Sequence, residues 1–280
     1  AAGPAAARAH CPHVWHLHEL LDRPRVLVRL LARFLCRYAT RIIAVSQAVR
    51  AHWTLLDRRL APKMQVIHNG LDLAYYDAPQ DRDGVRRQLG AAPKDVLVGC
   101  FGRLGSWKGQ ELFLEAVNQL ASGHPDLRAV LAGGPVPGEG RRVEALQRRI
   151  HASSLGDRIR LLPFTEDVRP LLAALDVLVV PSLRPDPFPT TVLEGMAAGL
   201  PVVAAAHGGP PEMIVDNGTG ALVTPGDADA LAGKIAELAA DPERRHRQGR
   251  AGRERLQKEF PLARFRKSVT DLFEDITSAG

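Results

Sequence analysis

Asp186 and Glu194 are two acids separated by seven residues, Pro187-Phe188-Pro189-Thr190-Thr191-Val192-Leu193. Two prolines keep the stretch after Asp186 out of regular structure. Thr190 or Thr191 can cap a helix carrying Glu194, and Gly199 with Pro201 can end it. The apolar run Val177 to Val180 reads as a strand buried on both faces. A loop placed after such a strand lies at the carboxyl edge of a parallel sheet, where open α/β sheets bind ligands. Carboxylates there can accept hydroxyl protons, and the amides of Thr190, Thr191 and Val192 can face phosphate or sugar oxygens. The arrangement suits a ligand with both groups, such as a nucleotide-sugar. For Glu194 the competing reading is an acid that only favours the helix dipole. For Asp186 it is a plain turn acid.

Two cations occupy a second loop of the same kind. Val96 to Cys100 reads as a strand, and Gly102-Arg103-Leu104-Gly105-Ser106-Trp107-Lys108-Gly109 follows it. Gly102 lets the backbone approach a ligand. Arg103 offers a bidentate fork and Lys108 a compact charge, which is what a departing diphosphate requires. Taken alone they are ordinary surface cations; the strand before them and the acid pair downstream favour a binding role. His207-Gly208-Gly209-Pro210-Pro211-Glu212 is a tight turn into a helix, with the Gly209 amide on offer, or merely a chain reversal. Gly133-Gly134-Pro135 lacks a dinucleotide fingerprint and reads as structural.

These residues need a frame, and the chain supplies alternating strands and helices. Strands are expected at 14–17, 41–45, 64–67, 95–101, 128–132, 159–162, 177–180, 202–205 and 221–223. Helices are expected at 24–40, after Ser46, and at 109–121, 141–152, 168–175, 210–215, 228–240 and 242–260, with a last one from 262 to about 276. Such alternation predicts doubly wound parallel sheets. Residues 1–12 read as an irregular start. Residues 73–94 read as a polar linker or short exposed helix, preceded by Asn69-Gly70-Leu71-Asp72, where Gly70 can adopt positive φ.

The acid pair and the sequence downstream to Val203 resemble the signature of the family 4 retaining glycosyltransferases of GT-B fold. Asp186 stands where that family usually has Glu, and Pro189, without an N–H, stands where it usually has Gly. The resemblance covers about His18 to Phe260. It implies two Rossmann-like domains: a partial acceptor-side domain at 1–74, joined by a returning helix at 262–280, and a nucleotide-sugar donor domain at 75–261. Family members carry further strands and helices before the position of His18, so the expectation is a fragment, a misplaced start or a partner that supplies the rest. The resemblance implies that Arg103 and Lys108 bind the donor diphosphate, that Asp186 holds the sugar and Glu194 the ribose, and that His18 faces the sugar. Gly102, Phe188, Thr190, Thr191, Val192 and Gly209 complete the implied donor site. Attack would come from the front face with the leaving phosphate as base, and without an obligatory metal. The acceptor would be a glycan, a lipid-linked species or a small molecule, and the donor a UDP- or GDP-sugar. Two other readings are a nucleotide-sugar-binding subunit that needs a partner, and a sugar-nucleotide epimerase.

Composition narrows the alternatives. The chain has 280 residues, 45% hydrophobic and 24% charged, as in ordinary globular proteins. Net charge is +6, but the bias is almost wholly arginine and aromatics are only 5%, which argues against nucleic acid as a partner. No cofactor is expected. His16 and His18 lack further ligands for a metal. Asp81-Arg82-Asp83 lies in the polar stretch, and Asp227-Ala228-Asp229 reads as a helix cap. Cys11, Cys36 and Cys100 have no metal or redox spacing, which sets a cytoplasmic location as the expectation. Arg25, Arg29, Arg33, Arg37 and Arg41 recur opposite an apolar face of Leu27, Leu30, Leu31, Phe34, Leu35 and Tyr38. Such a helix usually packs by its apolar stripe; peripheral contact with the inner face of a membrane is the alternative.

Overall fold

The computed structural model describes residues 2–278, so Ala1, Ala279 and Gly280, at the ends of the expected stretches 1–74 and 262–280, lie outside the described residues. Among the described residues the strands are β1 (Val14–Leu17), β2 (Arg41–Ala44), β3 (Met64–Val66), β4 (Val96–Phe101), β5 (Leu127–Ala132), β6 (Ile159–Leu162), β7 (Val177–Val180), β8 (Val202–Ala205) and β9 (Gly220–Val223). They form two all-parallel sheets, ordered β1-β2-β3 and β6-β5-β4-β7-β8-β9. The helices are α1 (Ala2–Arg8), α2 (Arg25–Tyr38), α3 (Gln47–Leu56), α4 (Leu73–Tyr76), α5 (Arg82–Gln88), α6 (Gln110–Gln119) and α7 (Arg141–His151). They continue with α8 (Arg169–Ala174), α9 (Thr190–Ala197), α10 (Pro210–Met213), α11 (Ala228–Ala240), α12 (Pro242–Glu259) and α13 (Leu262–Ser278).

The central strands show why a parallel sheet forms. Every residue of β7 is buried. Leu178 and Val180 join the core on one face, while Val177 and Val179 join the core on the other. β8 divides the same way, with Val202 and Ala204 opposite Val203. Strands greasy on both sides require helices on both sides, which is the doubly wound arrangement. The chain runs from β4 outward to β6, then returns to β7 on the opposite side of β4. The loops after β4 and β7 therefore open away from each other and leave a crevice at the switch point.

The smaller sheet is covered on one side by α13, whose Leu272 and Ile276 pack with Ile43 and Ile67. Two connections between the sheets run side by side: Leu71 N–H donates to Phe260 O, and Leu262 N–H donates to Leu71 O, each at 3.0 Å. Gly70 does not take positive φ, contrary to the sequence expectation. Its lack of a side chain matters because an added Cβ would stand 2.7 Å from the Pro261 carbonyl oxygen. The sheets are also clasped by Glu212 of α10. Its carboxylate accepts from the Gln47 and Ala48 amides, the first turn of α3, at 2.8 and 2.9 Å, and from His68 at 3.0 Å. Burial alone would raise the Glu212 carboxyl; the His68 ring and the two amides outweigh it and hold it below the usual glutamate range.

Three further expectations change. Residues 2–8 are helical, and Gly3 is buried against Phe34 and Tyr38 of α2. The stretch 73–94 is anchored: Arg86 of α5 is buried and pairs with Asp176 at 2.9 Å. Finally, α2 buries Val28, Ala32 and Leu35 and leaves Leu27 and Leu30 exposed, so its packed face is rotated from the expected one. Of the other residues on that expected face, Leu31 is half-buried against the core, and Phe34 and Tyr38 meet α1.

Candidate active site

A cleft of about 490 Å3 opens at the switch point and is closed on its far side by the smaller sheet. Arg103, Lys108, Asp186 and Glu194 all line it, with Gly102, Phe188, Thr190 and Thr191. His18, just after β1, and Asn69, just after β3, enter from the smaller sheet. Residues far apart in sequence thus meet because each follows the carboxyl end of a parallel strand.

The loop after β4 is held from several sides. Gly102 has φ +140°, and an added Cβ would point into open space, so the backbone conformation is what requires glycine there. An added Cβ on Gly133 would stand 1.9 Å from the Gly102 carbonyl oxygen, so the bare Gly133 lets the two loops close together. Leu104 N–H donates to Gly134 O at 2.8 Å, and the buried Gln110 side chain donates to Arg103 O at 2.9 Å. Arg103 itself is exposed. Its guanidinium lies 5.9 Å from the Trp107 ring, and the Lys108 ammonium lies 4.1 Å from the same ring. The indole thus holds two cations at the cleft wall by cation–π attraction.

Lys108 Nζ donates to Asp186 Oδ2 at 2.6 Å, and both side chains are largely buried. The pairing joins the loops after β4 and β7 directly. The Asp186 backbone is fixed as well. Gly209 N–H donates to Asp186 O at 2.8 Å, and an added Cβ on Gly208 would stand 2.2 Å from that oxygen. Gly209 is therefore placed behind the cleft, with its amide already engaged.

Helix α9 begins at Thr190 after Pro189, with no side-chain cap. Neither threonine caps it, because Pro189 already occupies the flanking position and both threonines are in the first helical turn. The Thr190 and Thr191 amides have no protein acceptor among the described residues and face the cleft as an N-terminal amide pair. Val192 is fully buried, and its N–H donates to Pro189 O at 3.1 Å. Glu194 sits one turn further along, with its carboxyl raised by burial. Tyr76 is half-buried, and its hydroxyl is pushed up, first by burial and then by the Glu194 charge.

Phe188 stacks on His68 with centroids 4.9 Å apart and meets Phe260 edge-on at 5.5 Å. The cleft wall is in this way tied to both chain connections between the sheets. His18 lies against His16, ring centroids 3.9 Å apart. Burial, with His18 adding to it, lowers His16 to about 4. Among the described residues, no three His, Cys, Asp or Glu side chains group as metal ligands. Glu19, Trp107, Phe164, Thr165 and Glu166 line the cleft without standing out in the sequence. Their positions just after β1, β4 and β6 were the available signal.

The pattern described as "Glycosyl transferases group 1" matches residues 81–255, and that of "Glycosyltransferase Family 4" matches residues 1–75. The chain is 28% identical to "Lipopolysaccharide core biosynthesis mannosyltransferase LpsB" of Rhizobium meliloti (strain 1021), over 94% of this chain and 79% of that protein. It is 32% identical to "Lipopolysaccharide core biosynthesis mannosyltransferase LpcC" of Rhizobium leguminosarum bv. viciae, over 82% of this chain and 68% of that protein. Among solved structures, Anabaena Alr3699/HepE in complex with UDP-glucose superposes with a TM-score of 0.91 at 30% identity, covering 98% of this chain and 75% of that one. Parallel sheets facing a cleft at the switch point, and these matches along nearly the whole chain, make it a member of the glycosyl transferases group 1, the family 4 glycosyltransferases of GT-B fold.

Proposed function

We propose that this glycosyltransferase takes a sugar from a UDP- or GDP-sugar and passes it to a hydroxyl acceptor with retention at the anomeric carbon. The observation that carries the reading is the single cleft shared by Arg103, Lys108, Asp186 and Glu194, with the open amides of Thr190 and Thr191 between them. Arg103 and the amide pair receive the diphosphate. Glu194, desolvated and one helical turn deeper, takes the ribose hydroxyls. Asp186, oriented by Lys108 and the Gly208-Gly209 turn, holds the sugar, and His18 approaches it from the acceptor side. As the bond to the diphosphate breaks, Arg103 and Lys108 stabilise the growing negative charge, so no metal is assigned to that task.

Supporting this reading, the HepE structure contains UDP-glucose, and the LpsB and LpcC relatives carry mannosyltransferase names. The lipopolysaccharide relatives favour a glycan or lipid-linked acceptor. The domain division at 74/75, with α13 returning to the smaller sheet, belongs to the same proposal.

The test is a panel of UDP-, GDP- and ADP-sugars read by thermal stabilisation, repeated with Arg103→Ala and Glu194→Ala. One donor class stabilises the parent and neither variant. Equal shifts in parent and variants would sink the assignment. With the donor identified, NMR of the product reads the anomeric configuration, and turnover in EDTA reads the metal requirement.

A further inference from the structure

His68 has no part in the proposed reaction, yet it stands where the two sheets meet. It follows β3 of the smaller sheet, and its neighbour Asn69 lines the cleft. Its ring makes two contacts with loops of the larger sheet. One face stacks on Phe188 at 4.9 Å, with the planes 16° apart. Nε2 lies 3.0 Å from the Glu212 carboxylate, which only accepts, so the ring donates. Both contacts lead to Asp186. Phe188 is two residues beyond it in the same loop. Glu212 is three residues beyond Gly209, whose N–H holds Asp186 O at 2.8 Å, and Gly208 bridges Asp186 in parallel register. One imidazole therefore fastens to the smaller sheet both the loop that carries Asp186 and the turn that anchors it.

We infer that His68 is a positioning residue for Asp186 and that a proton on its ring tightens the hold. Protonated, the ring makes a charge-assisted bond to Glu212; neutral, it makes an ordinary one, roughly fivefold weaker. Although burial raises it, the Glu212 carboxyl is held below the usual glutamate range by His68 and two amides, so it stays ionised while the ring titrates. Behind the ring lies a cavity of about 250 Å3 whose other charged side chains are Arg255 and Glu259 of α12 and Arg264 of α13. Arg255 is committed to the Met213 and Glu212 carbonyls at 2.8 and 2.9 Å, and Arg264 to Glu259 at 3.0 Å. In the loop before Phe188, Asp186 is paired with Lys108. The charge in contact with the ring is thus that of Glu212, and the His68 side chain, 31% exposed, exchanges protons with solvent. Resting on the transferase reading, the inference makes placement of the donor sugar depend on pH through a residue of the acceptor-side sheet.

NMR of the ligand-free protein tests the coupling apart from the transferase reading. Between about pH 5 and 8, where histidines change charge, the Asp186 and Gly209 amide signals of the parent follow the titration of the His68 ring. Glu212→Gln, which keeps an acceptor for the α3 amides, and His68→Phe, which keeps a flat ring against Phe188, both abolish that response. His207→Gln retains it, although it removes the imidazole that lies 2.8 Å from Ser182 O in the same turn. Amides that ignore His68 in the parent, or that lose their response in His207→Gln, overturn the inference. Calorimetry then reads the sugar, with UDP-glucose and GDP-mannose as probes beside UDP and GDP. At about pH 6, His68→Phe weakens the nucleotide-sugar that the parent binds roughly fivefold and leaves its nucleoside diphosphate unchanged, since Asp186 meets only the sugar; at about pH 8 variant and parent converge. A loss shared equally by nucleotide and nucleotide-sugar, or equal at both pH values, makes His68 merely structural and overturns the inference. A parent that binds none of the four probes while its amides follow His68 sinks the transferase reading and supports the coupling.

Discussion

The Lys108–Asp186 pair sets the electrostatics of the cleft before any ligand arrives. With both partners largely buried, removing one strands the other charge in a poorly solvated place. Lys108→Met and Asp186→Asn should each lower the melting temperature, and the double variant should lose less than the sum. A double-mutant cycle by thermal unfolding should give a coupling of roughly 1–3 kcal/mol. Glu194 behaves differently, because burial raises its carboxyl. The folded state then holds its proton to higher pH than the unfolded state, so this group makes the protein less stable as pH rises through its titration. Glu194→Gln should therefore raise the melting temperature of the ligand-free protein near neutral pH while weakening the response to donor. A lower melting temperature in that variant would show that the carboxylate is already satisfied. At this scale the sequence was readable where a charged residue followed a strand: Arg103, Lys108, Asp186, Glu194 and His18 reach one cleft. It misplaced Gly209 and Val192, because whether an amide is free depends on an acceptor elsewhere in the chain, Asp186 O for the first and Pro189 O for the second.

Among the elements, α3 and α10 make a contact that bridges the two sheets. Glu212 of α10 occupies the N-terminus of α3 and satisfies two amides that the helix cannot satisfy itself. Glu212→Ala should speed hydrogen exchange at Gln47 and Ala48 and cost about 1–2 kcal/mol of stability, as loss of a helix cap does. Unchanged exchange at those amides would mean that the clasp opens freely in solution. Strand β1 supplies a pH response. His16 has its titration lowered to about 4, so below the ordinary histidine value the unfolded chain takes up a proton that the folded chain refuses. Stability should fall as pH drops from about 6.5 to about 4, and His16→Gln should flatten that part of the profile measured by denaturant unfolding. Strong periodicity made β7, β8 and α11 legible to the residue, since Val177–Val180, Val202–Ala205 and Ala228–Ala240 fall where they were expected. The period of α2 was also clear, but its phase was not. Leucines outnumber other candidates on the expected face, whereas the sheet selects the smaller Val28 and Ala32 for close approach, and α1 takes Phe34 and Tyr38.

Taken whole, the molecule is two parallel sheets facing a cleft, joined by the paired Leu71 and Phe260–Leu262 crossings and by the Phe188–His68 stack. The parallel sheets were inherent in the alternation of elements, whereas the strand order with its reversal beside β4 emerges only in the folded chain. The clasp through Glu212 was not, because nothing local to Pro210-Pro211-Glu212 announces a helix N-terminus more than 160 residues away in sequence. Donor binding at the cleft should draw the sheets together and protect the Leu71 and Leu262 amides from exchange. The central claim is that one hollow grips a nucleoside diphosphate between Arg103 and Glu194. Calorimetric titration of UDP and of GDP into the parent, Arg103→Ala and Glu194→Ala tests it most directly. The account predicts a saturable isotherm for one of the two nucleotides, weakened roughly tenfold or more by each substitution, as expected for losing a charge-assisted hydrogen bond. Affinities equal in all three proteins, or no binding of either nucleotide to the parent, would contradict it.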